Sequence, residues 1–309
     1  MEILTDQCLD VLIALELHQH SNQDLLLLSR SVYQKPESVQ QQLDTLEGLG
    51  YIEHTHGYYQ VTDSGYAHLK PYQVKQAIIL AAGFGSRMTP VTLDTPKPLV
   101  KVNGVPMIEV TIQALQEKGI TNIALVVGYK KEKFYYLAEK YPGLQIFVND
   151  HYMEENNISS AILVKDRFCD TYVFNGDILI TNRDIIRRYE KRSCYFGTWV
   201  EKMPKRDGWE LEHRGEKACG MRKGGENTYM TIPISFWNAD AGKQYEKDIT
   251  ELYAHPDKRN LYWEDVVLTQ FNEHYDIDVR RCELQDITEI DTLDELAAID
   301  PSYKKYLSK

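Results

Sequence analysis

Two hydrophobic patterns divide the chain. Up to about residue 70, apolar positions recur at helical spacing: Cys8, Val11, Leu12 and Leu15 form one stripe, and Val39, Leu43 and Leu46 another. Between them Leu25–Leu28 reads as a second helix that Asn22 can cap, and Pro36 stands at a favoured first position of the third. Gly50 ends that helix. Tyr51-Ile52 then begins a strand, His54-Thr55-His56-Gly57 turns it, Tyr58 to Val61 returns, and Thr62 precedes a short capped helix through Leu69. From residue 75 the apolar runs are short, and unbroken at Ala77–Ala82 and Ile123–Val127, while Leu144–Val148 and Thr171–Asn175 are further strands. Such runs read as strands buried on both faces. Helical segments separate them, from Pro106 to Gly119, from Lys130 to Lys140 and after Asn157. This alternation predicts an α/β fold with a mostly parallel, mixed, doubly wound sheet. Past residue 194 strands follow with hairpin turns expected at Asp207-Gly208 and Gly224-Gly225, then two helices and a final one after Thr292.

Two domains are therefore expected, residues 1–70 and 75–309, joined by the short Lys70-Pro71-Tyr72-Gln73-Val74. The helix and strand order of the first resembles the winged helix-turn-helix domains of bacterial regulators. Charge argues against DNA as its partner. Residues 1–70 carry three bases (Arg30, Lys35, Lys70) against ten acids, a net charge of -7. Phosphate contacts need clustered lysine and arginine, and the third helix instead carries Glu37, Asp44 and Glu47. Its glutamines, Gln40 to Gln42, could face bases, but nothing there would hold a phosphate backbone. A docking or regulatory module is the expectation. His18, His20, His54, His56 and His68 read as surface or packing residues.

Composition narrows the setting. The 309 residues carry a net charge of -11, and no apolar run approaches a membrane span. The five cysteines, Cys8, Cys169, Cys194, Cys219 and Cys282, are scattered singly, which suits a reducing cytoplasm and no metal site. A cytoplasmic protein without a membrane partner is expected, and a homodimer is compatible with the sequence.

The chemistry concentrates where the strand Ala77–Ala82 ends in Gly83-Phe84-Gly85-Ser86-Arg87-Met88-Thr89-Pro90, followed by Thr95-Pro96-Lys97-Pro98-Leu99. Glycines let backbone N–H groups approach an anion, and Arg87 and Lys97 add positive charge beside that turn. The loop suits a polyphosphate. It lacks the Gly-Lys-Ser/Thr of a Walker A loop and the third glycine of a dinucleotide fingerprint. Asp177 follows the strand Thr171–Asn175, and Asp291 stands near a strand end in Ile287-Thr288-Glu289-Ile290-Asp291. Two carboxylates with phosphate oxygens are a usual Mg²⁺ site, and capping of the last helix is the lesser alternative for Asp291.

The pattern L-A-A-G-x-G-S-R-M-x-P-x-T-x-x-x-P-K-P-L resembles the signature of nucleotidyltransferases, which join a nucleoside triphosphate to a phosphorylated small molecule and release pyrophosphate. The resemblance implies that Asp177 and Asp291 hold Mg²⁺, that Arg87 meets the leaving phosphates, and that Lys97 touches the α-phosphate or the attacking phosphate. It implies that Leu80, Ala81, Ala82 and Gly83 line the nucleotide site with Gly85 and Ser86. The segment Asn156-Asn157-Ile158-Ser159-Ser160 is similar to a stretch of bacterial CTP:phosphocholine cytidylyltransferases in which the serine, here Ser160, meets the base. Helix capping accounts for Asn157 equally well.

Ser235-Phe236-Trp237 and Leu261-Tyr262-Trp263 also resemble that subfamily, so the likeness spans residues 75–305. It implies transfer of cytidylyl from CTP to phosphocholine for cell-surface polysaccharide. Trp209, Tyr262, Trp263 and Glu264 are the candidate acceptor-binding residues, because aromatic faces beside acids hold quaternary ammonium groups. Trp237 and Trp263 could also be core residues. Asn175-Gly176-Asp177 and Glu264 depart from the subfamily, which has Asp-Ala-Asp and aspartate there. This keeps aminoethylphosphonate, phosphoethanolamine and sugar 1-phosphates open as acceptors. A nucleotide-sensing transcriptional regulator is the reading of a different class.

Overall fold

A computed structural model describes residues 4–18, 24–203 and 208–307. Asn22, His20 and Asp207 lie outside the described residues. The chain divides into two compact units, Met1–Gln73 with Arg187–Glu190, and Val74–Ile186 with Lys191–Lys309.

The first unit contains α1 (Asp6–Leu17), α2 (Leu25–Ser31), α3 (Pro36–Gly48), β1 (Ile52–Thr55), β2 (Tyr58–Val61) and α4 (Asp63–Leu69). Thr5, Asp24 and Thr62 cap α1, α2 and α4 with their side chains, each satisfying a backbone N–H the helix cannot. The stripes read from the sequence meet in one core, where Val11, Leu12, Leu15, Leu28, Val39, Leu43 and Leu46 are buried. The segment Arg187–Glu190 completes it: Tyr189 enters that core, and Arg187 Nη2 donates to the Ser31 carbonyl at 3.1 Å. On α3 two of the three glutamines, Gln40 and Gln42, are engaged. Gln42 is buried and donates to Gln34 Oε1 at 2.7 Å, and Gln40 donates to Asp44 Oδ1 at 2.8 Å.

The second unit runs through β3 (Gln76–Ala81), β4 (Lys101–Val102), β5 (Val105–Pro106), α5 (Met107–Glu117), β6 (Ile123–Val127), α6 (Tyr135–Lys140), β7 (Leu144–Val148), α7 (Ile158–Ala161), β8 (Thr171–Asn175) and β9 (Ile178–Ile180). It continues through β10 (Cys194–Lys202), β11 (Trp209–Arg214), β12 (Lys217–Lys223), β13 (Glu226–Trp237), α8 (Ala239–Tyr253), β14 (Asp278–Arg281), β15 (Ile287–Glu289) and α9 (Leu293–Ile299). Nine strands form one sheet in the order β10-β14-β12-β11-β13-β8-β3-β6-β7.

The unbroken apolar runs have a direct cause. Along β3, Ala77, Ile79 and Ala81 pack into a core with α5, while Ile78 and Leu80 pack into a second core with α8 on the opposite face. β6 alternates in the same way. Burial on both faces contributes roughly 1.5–3 kcal/mol for each large aliphatic side chain. Among the described residues no helix is long and apolar enough to cross a membrane.

Two expectations are corrected. The sheet is mixed, as expected, but not mostly parallel: β8, β3, β6 and β7 run parallel, as do β10 and β14, but β13 joins β8 antiparallel, and β10 pairs back onto β13. The strands β13, β11, β12, β14 and β10 thus return on themselves as a ring. Gly224-Gly225 is not a hairpin turn, because β11 lies between the strands it joins; the hairpin is β11–β12, which turns at Gly215. The sequence places glycines at both turns, and only long-range pairing decides which neighbours them.

Helix α8 approaches the chain before β8 closely at Gly242. A β-carbon there would lie 2.4 Å from the Phe168 carbonyl oxygen and 2.7 Å from the Cys169 nitrogen. Gly242→Ala is expected to destabilise the second unit by about 1–3 kcal/mol through overpacking. Chemical denaturation of both proteins checks this, and an unchanged midpoint would contradict the tight contact.

Candidate active site

The site stands at the carboxyl ends of β3, β7 and β8, where parallel strands leave a crevice for a ligand. Two adjoining cavities share Leu80, Gly83 and Asp177. The first, about 290 Å³, is lined by Ala81, Gly85, Ser86, Arg87, Lys97 and Asp291. The second, about 220 Å³, is lined by Ala82, Asn149, Asn157, Ser160 and Asn175 among others. The residues read as nucleotide-binding from the sequence therefore divide between two neighbouring cavities.

Lys97 is the centre of the first cavity. Its side chain is only 7% exposed, and its ammonium donates to Asp177 Oδ2 and to Asp291 Oδ1, both at 2.8 Å. Burial by itself would pull Lys97 down, but the two carboxylates outweigh it and hold the ammonium above its ordinary range. Gly85 makes room for this side chain: its φ is +64°, and a β-carbon there would lie 2.6 Å from Lys97 Cβ. Arg87 is more exposed and donates to the same Asp291 Oδ1 at 2.9 Å. Its neighbour Met88 is fully buried against Ile290, Leu293 and Leu296, which anchors the loop beside the acid.

Asp177 and Asp291 are 114 residues apart in sequence and meet through β9 and β15. These strands pair antiparallel with Ile178 opposite Glu289, and Ile290 N donates to the Asp177 carbonyl at 3.2 Å. Asp291 does not cap the last helix. Thr292 does, in a reciprocal capping box with Glu295, which leaves the Asp291 side chain to the cleft. The sequence reading missed Glu289. One oxygen each of Asp177, Glu289 and Asp291 lie within 4.8 Å of one another. The two-residue spacing of Glu289 and Asp291 was the available signal, since alternate strand positions share a face.

The second cavity holds Ser160, buried at the first turn after Asn157, with Oγ accepting from Asn149 Nδ2 at 2.9 Å. Asn157 does not cap α7 with its side chain. Its Oδ1 accepts from Trp263 N at 2.9 Å instead, and Asn156 Nδ2 donates to the Asn260 carbonyl, so the 260–263 loop is tied to the cavity wall.

The candidate acceptor residues separate. Trp209 and Tyr262 meet edge to face, ring centroids 5.8 Å apart, with the Lys223 ammonium 5.3 Å from the Trp209 centroid. Trp263 is 1% exposed and packs in the second core against Phe168, Tyr195 and Trp237, as Trp237 itself does. Its ring is a core element and presents no face to a ligand. Glu264 is buried, its Oε2 has no hydrogen-bond partner, and burial with the nearby charges of Asp265 and Asp177 pushes its carboxyl up to about 8.

Comparison with known proteins identifies the family. The profile of the nucleotidyl transferase family matches residues 76–207. A 2-aminoethylphosphonate cytidylyltransferase of Lancefieldella rimae is 39% identical over 237 residues, 74% of this chain and 92% of that protein. A choline-phosphate cytidylyltransferase of Streptococcus pneumoniae is 35% identical over 230 residues, 74% of this chain and 98% of that protein. The solved CTP:phosphocholine cytidylyltransferase from Streptococcus pneumoniae superposes with a TM-score of 0.68 at 34% identity, covering 74% of this chain and 99% of that one. Likeness of this extent, over nearly the whole of each relative, goes beyond a shared fold: the chain belongs to the nucleotidyl transferase family, among its cytidylyltransferases.

Proposed function

We propose that this chain transfers the cytidylyl group of CTP to a small phosphate or phosphonate bearing an amine cation, with phosphocholine as the first candidate, and releases pyrophosphate. The observation that carries this reading is the buried Lys97 ammonium held between Asp177 and Asp291 beneath the Gly83–Arg87 loop. The donor set beside it suits Mg²⁺: it is all oxygen, and Asp177 Oδ1 is buried with no hydrogen-bond partner. Asp177 and Asp291 would hold the ion, with Glu289 in reach, and the ion would neutralise charge on the triphosphate.

The attacking oxygen belongs to a group that is already anionic, so no strong general base is required. An acceptor oxygen forms a bond to the α-phosphorus as the bond to the β-phosphate oxygen breaks, and the electron pair leaves with pyrophosphate. Catalysis is then positioning and charge neutralisation. Lys97 takes the crowded charge of the α-phosphate and the attacking oxygen, and Arg87 takes the leaving phosphates. Leu80 to Gly83 and Ser160 hold the nucleoside.

For the acceptor, the Trp209–Tyr262 pair supports a cation subsite, since the Trp209 face already attracts the Lys223 ammonium. The burial of Trp263 favours a second reading, 2-aminoethylphosphonate, the acceptor named for the Lancefieldella relative. A primary ammonium needs hydrogen-bond acceptors rather than an aromatic cage.

We read residues 1–70 as a winged helix that docks or regulates, ahead of a catalytic domain at 75–309. The order of three helices, a two-stranded antiparallel pair and a last helix supports the first part. The engagement of Gln40 and Gln42 within the unit supports a role other than reading bases.

Turnover with CTP and each acceptor, followed by pyrophosphate release, tests the whole reading, and a wild type preferring sugar 1-phosphates would end it. Lys97→Ala is expected to lower kcat by roughly 10²–10³-fold with the fold retained. Near wild-type kcat would remove the assigned role. Asp177→Asn should weaken the apparent Mg²⁺ affinity measured by titrating activity, because a charged ligand is lost. Trp209→Ala should lower kcat/KM for phosphocholine by roughly 2- to 30-fold and spare 2-aminoethylphosphonate at saturating CTP. Equal losses for the two acceptors would take Trp209 out of the cation subsite.

A further inference from the structure

We infer that Asn149 is a positioning residue that fixes the polarity of the Ser160 hydroxyl and so makes the second cavity select cytosine over uracil. The inference rests on the reading of that cavity as the base site. Asn149 is the first residue after β7, is 1% exposed and lines the cavity.

The orientation of its amide follows from the backbone. His151 N donates to Asn149 at 2.8 Å, and since a backbone N–H only donates, the atom facing it must be the oxygen Oδ1. Nδ2 is thereby turned to two hydroxyls, Ser159 Oγ and Ser160 Oγ, each at 2.9 Å. The amide has two hydrogens and gives one to each. Ser159 closes its own ledger by donating to the Asn156 carbonyl at 2.6 Å.

Ser160 is placed differently. It accepts from Asn149, and no acceptor takes its own proton among the described residues. With 2% exposure it has little access to bulk solvent, so the proton is left for whatever fills the cavity that Ser160 lines. A hydroxyl held as a donor complements the bare N3 of cytosine. The N3 of uracil carries a hydrogen, and the two donors would oppose each other without solvent to relieve them. A buried donor left unpaired in this way corresponds to roughly a ten- to hundredfold discrimination.

Asn149→Asp isolates the effect. The aspartate still accepts from His151 N, but it presents an oxygen where Nδ2 stood, so Ser160 donates to the carboxylate and turns a lone pair to the base. The added charge burdens CTP and UTP alike, and the ratio of their kcat/KM values cancels it. That ratio is expected to fall roughly ten- to a hundredfold, chiefly through KM for CTP. Ser160→Ala should lower the ratio as well, and adding Asn149→Asp to it should change the ratio no further. An unchanged ratio in Asn149→Asp, or an equal fall in the Ser160→Ala background, would overturn the inference. Should Asn149→Asp fail to fold by circular dichroism, Ser160→Ala alone decides: an unchanged ratio refutes it. Wild-type CTP turnover reports separately on the reading of the site. A wild type that uses CTP over UTP but whose ratio ignores both substitutions refutes this inference alone, and one that uses both equally refutes it together with the base-site reading.

Discussion

A lysine ammonium cannot be buried without partners, and much of the catalytic unit is arranged around that constraint. Removing one charge from water costs several kcal/mol even after relaxation, and leaving it unpaired costs more. Lys97 is tolerated because two carboxylates meet it at 2.8 Å. One comes from the end of β8 and the other from beyond β15, and neither strand is near Lys97 in sequence. The pairing of β9 with β15 is what brings the acids together, and the packing of Met88 against Ile290, Leu293 and Leu296 holds the loop at their level. The same pair of carboxylates that stabilises the lysine is the natural place for a metal, so the cleft is charged on both signs before any ligand arrives.

The sheet explains why the cleft lies where it does. Four parallel strands have helices on both faces, so their side chains are spent on two cores and only their carboxyl ends remain open. Gly83 and Gly85 line the first cavity there and leave its backbone uncovered by side chains. On the other side of β8 the mainly antiparallel ring of strands, with only β10–β14 parallel, carries Trp209, and the loop at 259–264 is tied to the cavity wall through Asn156 and Asn157. The Lys97 side of the cleft and the Trp209 side are thus built from different types of sheet.

Buried polar groups add a second layer of specification. Asn149 and Glu264 are both almost wholly buried beside the cleft, yet they differ in satisfaction: Asn149 uses every hydrogen-bonding atom it has, while Glu264 retains an oxygen with no partner. A fully satisfied amide is rigid and can orient a neighbour, whereas a half-satisfied carboxyl is driven toward its neutral form.

Much was legible in residues 76–99, because strand burial, glycine turns and fixed charges are local properties. The apolar runs of β3 and β6, the helical stripes of α1 and α3, and the placing of Arg87, Lys97 and Asp177 just beyond strand ends follow from spacing and side-chain chemistry, while the roles of those three came from the family resemblance. The sequence could not tell whether Trp263 faces a ligand or a core, since an indole suits both, and the second core decided it. It could not tell whether Asp291 caps the last helix or faces the cleft, since an aspartate suits both; the structure gives the cap to Thr292, and Lys97 and Arg87 donate to Asp291. Nor could it say that Gly224-Gly225 joins strands that are not neighbours, or that Glu289 meets Asp177. By itself, then, the sequence determined the α/β class, the glycine-rich turn after β3 and the charged residues beside it, because these depend on residues close along the chain. Which acids share one lysine, which aromatics stay exposed and which hydroxyls one buried amide joins are set by contacts between segments more than ten to a hundred residues apart, and only the tertiary structure could decide them.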